Sequence, residues 1–257
     1  MLLILLYHRV GGPAADGGNS PAVLAGHFRY LSDHAVVKLP GEPLEPGRLN
    51  VCLTFDDAYA DFYYHVFPLL QKFSFPAILA IPTRFILEDT ALSRASRLDV
   101  MQSDAMRADV CEAKAPFCTW AELRQMTASG LVQAASHSHN HWDMRQPATD
   151  VEYEAVHSQG LITKHLGCAA SAFVYPYGRV NGGVRRAVRQ HYEFDLRIGS
   201  AINWSWKPRG QPLCRLPVDG TPDLAAVLRG TSLAGLGLKM FCNQLRAFCG
   251  KWGGRGY

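Results

Sequence analysis

The chain contains short runs of apolar residues, rich in β-branched or aromatic side chains, that end abruptly in polar residues. Runs of this length and composition are typical of strands buried on both faces of a parallel sheet. The sequence predicts six such strands, which are Leu2–Tyr7, Val51–Phe55, Ala77–Ile81, Val132–Ser136, Ala172–Tyr175 and Leu196–Ala201.

Segments with helical periodicity lie between these runs. Apolar residues recur every three or four positions in Phe62–Phe73. The segment Thr119–Ser129 starts with Thr119 as a helix N-cap, carries Glu122 three residues later, and stops before Gly130. The alternation of strands and helices predicts βα units and an α/β fold with a parallel sheet.

Two segments depart from this alternation. Arg84–Phe117 is long and weakly periodic, so it is predicted to be an insertion that either covers the functional site or is a surface excursion without a role. Residues 232–257 have apolar residues at helical spacing and basic residues elsewhere, which predicts an amphipathic helix that packs on the domain or contacts a membrane surface. The predicted division is therefore a catalytic domain over residues 1–231, with the insertion 84–117, and a C-terminal helical segment over residues 232–257.

Composition narrows the class of protein. The 257 residues are 48% hydrophobic and 19% charged, as expected for a globular enzyme, and the net charge of +4 is too small to indicate a nucleic-acid partner. Seven cysteines without a Cys-x-x-Cys pair indicate a reducing compartment. Since no apolar run reaches the ~20 residues that cross a bilayer, we expect a cytoplasmic protein with optional peripheral membrane contact.

Polar residues that could take part in catalysis or metal binding follow several of the predicted strands. His8 follows the first, Asp56 and Asp57 follow the second, and His137 follows the fourth. Because the carboxyl ends of parallel strands in an α/β barrel face one rim, we expect these side chains to converge.

The histidine spacing indicates a metal site. His137 and His141 are four residues apart, which on one helical turn places both imidazoles on one face, within reach of one ion. One carboxylate from Asp56-Asp57 would complete a ligand set suited to Zn²⁺. The second carboxylate could act as a base, because a metal lowers the pKa of water to about 7. Taken alone, an Asp-Asp pair more often caps a helix or lies in a solvated turn.

Three motifs resemble those of a known family. Leu53-Thr54-Phe55-Asp56-Asp57, Ser136-His137-Ser138-His139-Asn140-His141 and Tyr175-Pro176-Tyr177-Gly178, in that order, are similar to the first three motifs of the polysaccharide deacetylases, carbohydrate esterase family 4, also called the NodB-homology domain. Leu6-Tyr7-His8-Arg9-Val10 and Trp120-Ala121-Glu122-Leu123 also resemble members of this family. The resemblance covers about residues 1–220 and implies a distorted, incomplete (β/α) barrel.

The resemblance implies a role for each matching residue. Asp56 would be the general base, and the main-chain N–H of Tyr177 would bind the oxyanion of the tetrahedral intermediate. Tyr175 and Pro176 of the same motif would border the substrate. The ligands of a divalent metal, with Zn²⁺ preferred, would be Asp57, His137 and His141.

Two expected residues are missing from their usual positions. Val174 replaces an Arg that orients the base in many family members, and Arg215 is our candidate to pair with Asp56 from another strand; the alternative is a solvated surface Arg. The late His that protonates the leaving amine is also absent, since the last histidine is His191. His8 is our candidate for this acid, and a structural histidine is the alternative.

Trp204 and Trp206 follow a predicted strand and could form an apolar wall for the acyl group or the sugar, or pack in the core. The function implied is hydrolysis of an N-acetyl or N-formyl group on an amino sugar. The substrate would be a glycan or glycolipid precursor, nucleotide- or lipid-linked, or a polysaccharide. The alternatives are a sugar O-deacetylase, a carbohydrate-binding protein that retains the metal without turnover, and a membrane-peripheral scaffold.

Overall fold

The computed structural model describes residues 1–208, 210–228 and 235. In this part of the chain, the strands β1 to β8 are Leu2–Tyr7, Ala35–Val37, Leu49–Phe55, Ala77–Ile81, Val132–Ser136, Ala172–Val174, Phe194–Ile198 and Leu213–Pro217. The helices α1 to α9 are Pro21–His34, Phe67–Phe73, Arg94–Leu98, Gln102–Ala105, Ala108–Lys114, Trp120–Ala128, Val151–Leu166, Gly182–Val188 and Leu224–Leu228. A π-helical turn, Phe62–Val66, leads into α2, and 3-10 turns span Ala14–Asp16, Thr83–Phe85 and Pro176–Gly178.

Seven parallel strands close into a barrel. The order around it is β1-β3-β4-β5-β6-β7-β8, and β1 closes the ring because it pairs with both β3 and β8. The short strand β2 adds to the beginning of β3. The seam between β5 and β6 is thin, with Ser136 opposite Phe173 as its register pair. The predicted distorted, incomplete (β/α) barrel is confirmed.

The barrel explains the unbroken apolar runs of the sequence. In β1, Leu2 and Ile4 pack in the cluster inside the barrel, whereas Leu3, Leu5 and Tyr7 pack in the cluster that includes the surrounding helices. Both faces of the strand are therefore buried, and alternation of polar and apolar residues is absent.

One predicted strand is displaced in the structure. The prediction Leu196–Ala201 becomes β7, Phe194–Ile198, because the main-chain N–H groups of Gly199 and Ser200 both donate to the carbonyl of Arg215, and Ser200 has a φ of 41°. The chain therefore turns where the sequence suggests that the strand continues.

The insertion Arg84–Phe117 packs against the loop after β3. It contains α3, α4 and α5, and buried Arg97 holds it by donating to Glu122 and to the carbonyls of Ala115 and Phe117. Its C-terminal end braces the loop that carries the acidic pair, since the N–H of Ala60 donates to the carbonyl of Pro116 at 2.8 Å. The insertion thus supports the rim.

The capping box predicted at Thr119 and Glu122 is present at the start of α6. No helix in the described part of the chain is long and apolar enough to cross a membrane. The predicted boundary at residue 231 and the helical segment 232–257 lie outside the described residues, apart from residue 235.

Candidate metal and acid-base site

Three predicted metal ligands meet at the carboxyl end of the barrel. The Oδ1 atom of Asp57 lies 3.5 Å from Nε2 of His137 and 3.3 Å from Nε2 of His141. The three donor atoms lie within 4.8 Å of one another. Ligand atoms on a tetrahedral Zn²⁺ at about 2.1 Å would be separated by about 3.4 Å, so this spacing fits one divalent ion.

The donor chemistry also fits a cation. The carbonyl of Val174 accepts a hydrogen bond from Nδ1 of His137 at 2.8 Å, which leaves Nε2 as the free donor atom that faces Asp57. Burial lowers the pKa of His137 to about 4, so this imidazole is neutral near pH 7. The Oδ1 atom of Asp57 is buried without a hydrogen-bond partner in the described structure. A bound cation would compensate the cost of burying this unpaired oxygen.

The loop that carries the two histidines is irregular, and the predicted helical turn is wrong. Ser138 and His141 have φ angles of 63° and 57°, in the left-handed region. The Ser138 hydroxyl accepts from the N–H of His141 at 2.9 Å, and the Glu154 carboxylate accepts from the N–H groups of His139 and Asn140. Side chains therefore satisfy the main-chain donors that a helical turn would have paired.

Glu154 is expected to set the geometry of this loop. It is 1% exposed, and it also accepts from Nδ2 of Asn140 at 2.5 Å. Glu154→Ala would leave these donors unsatisfied, so we expect about 2–4 kcal/mol less stability and Zn²⁺ affinity about 10–100-fold weaker. Denaturant titration and competition with a chelating dye measure the two effects.

Glu152→Ala is the matched control, because Glu152 lies on the same helix but is 56% exposed and pairs with His191. This variant is expected to bind Zn²⁺ as wild type does. Undiminished Zn²⁺ affinity in Glu154→Ala would contradict the role assigned to Glu154.

Arg215 pairs with Asp56, as the sequence analysis predicted. The guanidinium is fully buried and donates from Nη1 to Oδ1 at 2.6 Å and from Nη2 to Oδ2 at 2.8 Å. Burial alone would raise the pKa of Asp56, but Arg215 and then His137 hold it below its ordinary value. Arg215 is therefore not a solvated surface residue, and Asp56 stays ionised beside the metal ligands.

His8 lies beside Asp56. Its Nε2 atom lies 3.9 Å from Oδ2 of Asp56, and its Nδ1 atom lies 2.6 Å from Oδ2 of Asp219. Burial would lower the pKa of His8, but the hydrogen bond to Asp219 and the charges of Asp56, Asp219 and Asp57 raise it to about 9. His8 is therefore protonated near neutral pH.

Asp219 is a site residue that the sequence analysis missed. It also accepts from the N–H of His8 at 3.0 Å, and its loop is tied to the barrel because the N–H of Val218 donates to the carbonyl of Leu6. Asp219 follows β8 by two residues, so the strand-end argument that selected His8 and Asp56 could have found it.

Exposed aromatic rings flank the metal ligands. The ring of Tyr177 is 56% exposed and packs against His141 with ring centres 4.9 Å apart, and Trp142, next in sequence to His141, is 50% exposed. Tyr175 and Pro176 are both buried, and the Tyr175 hydroxyl donates to Asp195 at 3.2 Å. The prediction that these two side chains border the substrate is therefore wrong.

The predicted wall formed by Trp204 and Trp206 is also wrong. Asn203 bridges Leu2 at the beginning of β1, so this segment lies at the opposite end of the barrel. Nε1 of Trp206 donates to the carbonyl of Glu42, and its ring packs near Phe194, the first residue of β7. Trp204 is exposed beside it. The chain after β7 returns to the amino ends of the strands before β8 begins.

A parallel barrel with an Asp-His-His site, a second carboxylate and a facing histidine defines a class of α/β proteins whose rim is suited to metal-assisted hydrolysis. The model of the family described as polysaccharide deacetylase matches residues 45–192, more than half of the chain. The chain belongs to this family.

A curated relative supports this assignment. Over 170 residues the chain is 28% identical to the poly-beta-1,6-N-acetyl-D-glucosamine N-deacetylase of Escherichia coli (strain K12). The alignment covers 55% of this chain and 23% of the relative, so the chain matches less than a quarter of that protein's length.

Solved structures share the fold. A de-N-acetylase from Aggregatibacter actinomycetemcomitans gives a TM-score of 0.68 at 22% identity, over 88% of this chain and 98% of that one. A polysaccharide deacetylase from Bacillus cereus gives 0.68 at 18% identity, over 86% and 65% of the two chains.

Proposed function

We propose that this protein is a Zn²⁺-dependent hydrolase that removes an N-acetyl or N-formyl group from an amino sugar. The observation that carries the proposal is the position of Asp56, a buried, ionised carboxylate beside the three metal ligands and next to the protonated His8. Two histidines and one carboxylate are a ligand set of catalytic zinc sites. A carboxylate and a neighbouring imidazolium provide a base and an acid.

The bound metal would polarise the water and the acyl carbonyl. Asp56 would take the proton from the attacking water. Arg215 would keep both oxygens of this carboxylate oriented during the proton transfer. The main-chain N–H of Tyr177, whose ring lies against His141, would stabilise the charge that develops on the acyl oxygen.

His8 would protonate the leaving nitrogen. With Nδ1 donating to Asp219, the Nε2 atom carries the second proton of the imidazolium toward Asp56 and the site. Asp219 does not face the reacting atoms in this scheme. It orients His8 and stabilises its charged form, which supplies the acid that the family usually takes from a later histidine.

Asp219→Asn is expected to move the alkaline limb of the pH profile of kcat/KM. The variant loses a negative charge and the charge-assisted hydrogen bond, so the pKa of His8 falls. Since the acid form is the active form, activity is lost at a pH about 1 unit or more below that of wild type. Acyl release measured between pH 6 and 10 records this alkaline limb.

Asp89→Asn serves as the control, because Asp89 is exposed in the insertion. An alkaline limb that stays at the same pH in Asp219→Asn would count against His8 as the acid. A loss of activity at all pH values, without a shift, would make Asp219 a structural residue only.

Two observations support a sugar substrate. Trp142 and Tyr177 offer exposed rings beside His141, and such rings provide apolar faces on which a pyranose can pack. The relative from Escherichia coli is named for N-deacetylation of a poly-N-acetylglucosamine. A metal-retaining binding protein would not need Asp56, Arg215, His8 and Asp219, and no comparison favours that alternative.

We also propose a reducing, cytoplasmic location. Cys52, Cys111, Cys118 and Cys168 are free thiols, which supports a reducing environment. Peripheral membrane contact through residues 232–257 is part of the same proposal.

Product analysis tests the reaction type. Zn²⁺-loaded protein is incubated with N-acetyl, N-formyl and O-acetyl derivatives of glucosamine and its oligomers, and free amine, acetate and formate are measured. A new amine in equal amount to the released acid supports the proposal. Acid release from O-acetyl derivatives alone would establish the esterase alternative instead.

A further inference from the structure

A salt bridge joins the two loops that carry His141 and Tyr177. The carboxylate of Asp143, two residues after His141, accepts from Nη1 of Arg179 at 3.0 Å. Arg179 directly follows the turn Pro176–Gly178, which contains Tyr177. These loops come after β5 and β6, whose seam is the thin one of the barrel. Because main-chain pairing between these two strands is sparse, a side-chain contact has more influence on how the two loops are spaced.

The Asp143 side of this bridge is fixed by its own loop. Its Oδ1 atom accepts from the main-chain N–H of Arg145 at 3.0 Å, and its carbonyl accepts from the hydroxyl of Thr149 at 3.0 Å. The Arg145 side chain also donates to both carboxylate oxygens, at 3.3 Å each. Met144, the next residue after Asp143, is buried in the core. The carboxylate therefore meets Arg179 from a fixed position.

The Arg179 side of the bridge contacts Tyr177. Its guanidinium carbon lies 5.4 Å from the centre of the Tyr177 ring, which is within the range of a cation–π interaction. The same ring packs against His141, with ring centres 4.9 Å apart. Arg179 and the metal site are therefore connected through a single aromatic ring.

Tyr177 has a main-chain conformation that a non-glycine residue rarely adopts. Its φ of 57° and ψ of 9° lie in the left-handed region. This conformation is costly for a residue with a side chain and persists only where the surroundings enforce it. A change in φ turns the N–H of a residue relative to its side chain. Contacts that hold the Tyr177 ring and the following Arg179 therefore resist a relaxation that would redirect the N–H of Tyr177.

We propose that Arg179, held by Asp143, is a positioning residue that keeps the main-chain N–H of Tyr177 directed at the developing oxyanion. This inference rests on the proposed deacylase function, in which that N–H stabilises the charge on the acyl oxygen. Arg179 acts through Tyr177 and does not touch the reacting atoms. Its loss should lower kcat far more than it changes KM or Zn²⁺ affinity, because the metal ligands are retained and the oxyanion forms only during the reaction.

Steady-state acyl release by Zn²⁺-loaded Arg179→Met tests the proposal. We expect kcat at least about tenfold below wild type, with KM within about twofold. Removal of an oxyanion donor costs about 10²–10³-fold in kcat, which is the upper bound for a donor that is only misdirected. Arg179→Lys retains a cation and should recover part of kcat. Arg186→Met, which removes an exposed arginine on α8, is the matched control and should retain wild-type kinetics.

Two further measurements separate positioning from a structural role. The Zn²⁺ affinity and the urea midpoint of Arg179→Met should stay close to those of wild type, because Arg179 is 39% exposed and partly exposed ion pairs add little stability. An unchanged kcat would overturn the proposal. Equal losses of kcat, Zn²⁺ affinity and stability would also overturn it, because the bridge would then be structural only.

An NMR titration tests the same point without turnover. Protein with tyrosine labelled on its main-chain nitrogen is loaded with Zn²⁺ and titrated with acetate, whose carboxylate stands in for the acyl oxygen. The Tyr177 amide resonance is assigned by its absence in Tyr177→Phe. We expect acetate at saturation to shift this resonance in wild type and to shift it less in Arg179→Met.

The two kinds of failure are distinguishable. No shift of the Tyr177 resonance in wild type, or an equal shift in Arg179→Met, would overturn the positioning role alone when wild type releases acyl groups. A shift that depends on Arg179, without acyl release by wild type from any sugar, would overturn the deacylase function instead.

Discussion

Asp56→Asn is expected to lower kcat for acyl release by about 10²–10⁴-fold while the protein still binds Zn²⁺. The amide cannot take a proton from water, whereas the three metal ligands, Asp57, His137 and His141, are unchanged. Steady-state kinetics and metal analysis of the same preparation separate the two properties.

The control for this substitution is Asp33→Asn, an exposed residue of α1. Asp33→Asn removes one negative charge, as Asp56→Asn does, and should retain wild-type kinetics. Activity of Asp56→Asn within tenfold of wild type would show that another group is the base. Loss of Zn²⁺ together with activity would assign Asp56 to metal binding instead.

Arg215→Met is expected to produce the largest loss of stability, about 3–5 kcal/mol at pH 7. It leaves Asp56 buried without its counter-charge. In wild type the folded pKa of Asp56 is depressed, so this carboxylate stabilises the protein above its unfolded pKa and the contribution is lost as pH falls. In the variant the folded pKa rises, because a buried carboxylate without a cation favours the neutral form.

The stability difference between Arg215→Met and wild type should therefore shrink as the pH falls from 7 toward 4. Urea denaturation at several pH values measures this trend, and acyl release at pH 7 should fall because the neutral carboxyl is not a base. Arg124→Met, which changes the exposed arginine of α6, should unfold as wild type does. A difference that stays constant with pH would show that Arg215 stabilises by packing alone.

The strand-end argument predicted much of the site. It selected His8, Asp56, Asp57 and His137 because a parallel barrel collects the residues that follow its strands, and the structure brings these four together. The prediction of Arg215 also depended on the family resemblance. Val174 stands where many family members have an Arg, and this difference was the reason to look for a guanidinium elsewhere in the chain. Arg215 lies within β8 with its side chain in contact with Asp56, not after the strand.

Other features depend on long-range contacts that a sequence pattern does not contain. Trp204 follows a strand just as Asp57 does, but its segment runs back to the amino end of β1. The spacing of His137 and His141 predicts a helical turn only if their main-chain donors bond locally, and Glu154 on α7 accepts from two neighbouring donors in that loop. The three-residue strand β2 is too short to give a periodic signal.

Reconstitution of metal-stripped protein tests the central claim, that Asp57, His137 and His141 hold a cation needed for deacylation. Chelator-treated protein is titrated with Zn²⁺ while free amine is measured from an N-acetylated glucosamine substrate that the Zn²⁺-loaded protein accepts. We predict no amine without metal, full activity at one equivalent of Zn²⁺ per chain, and no recovery in His141→Ala at that concentration. Full activity in the metal-free protein would contradict the account.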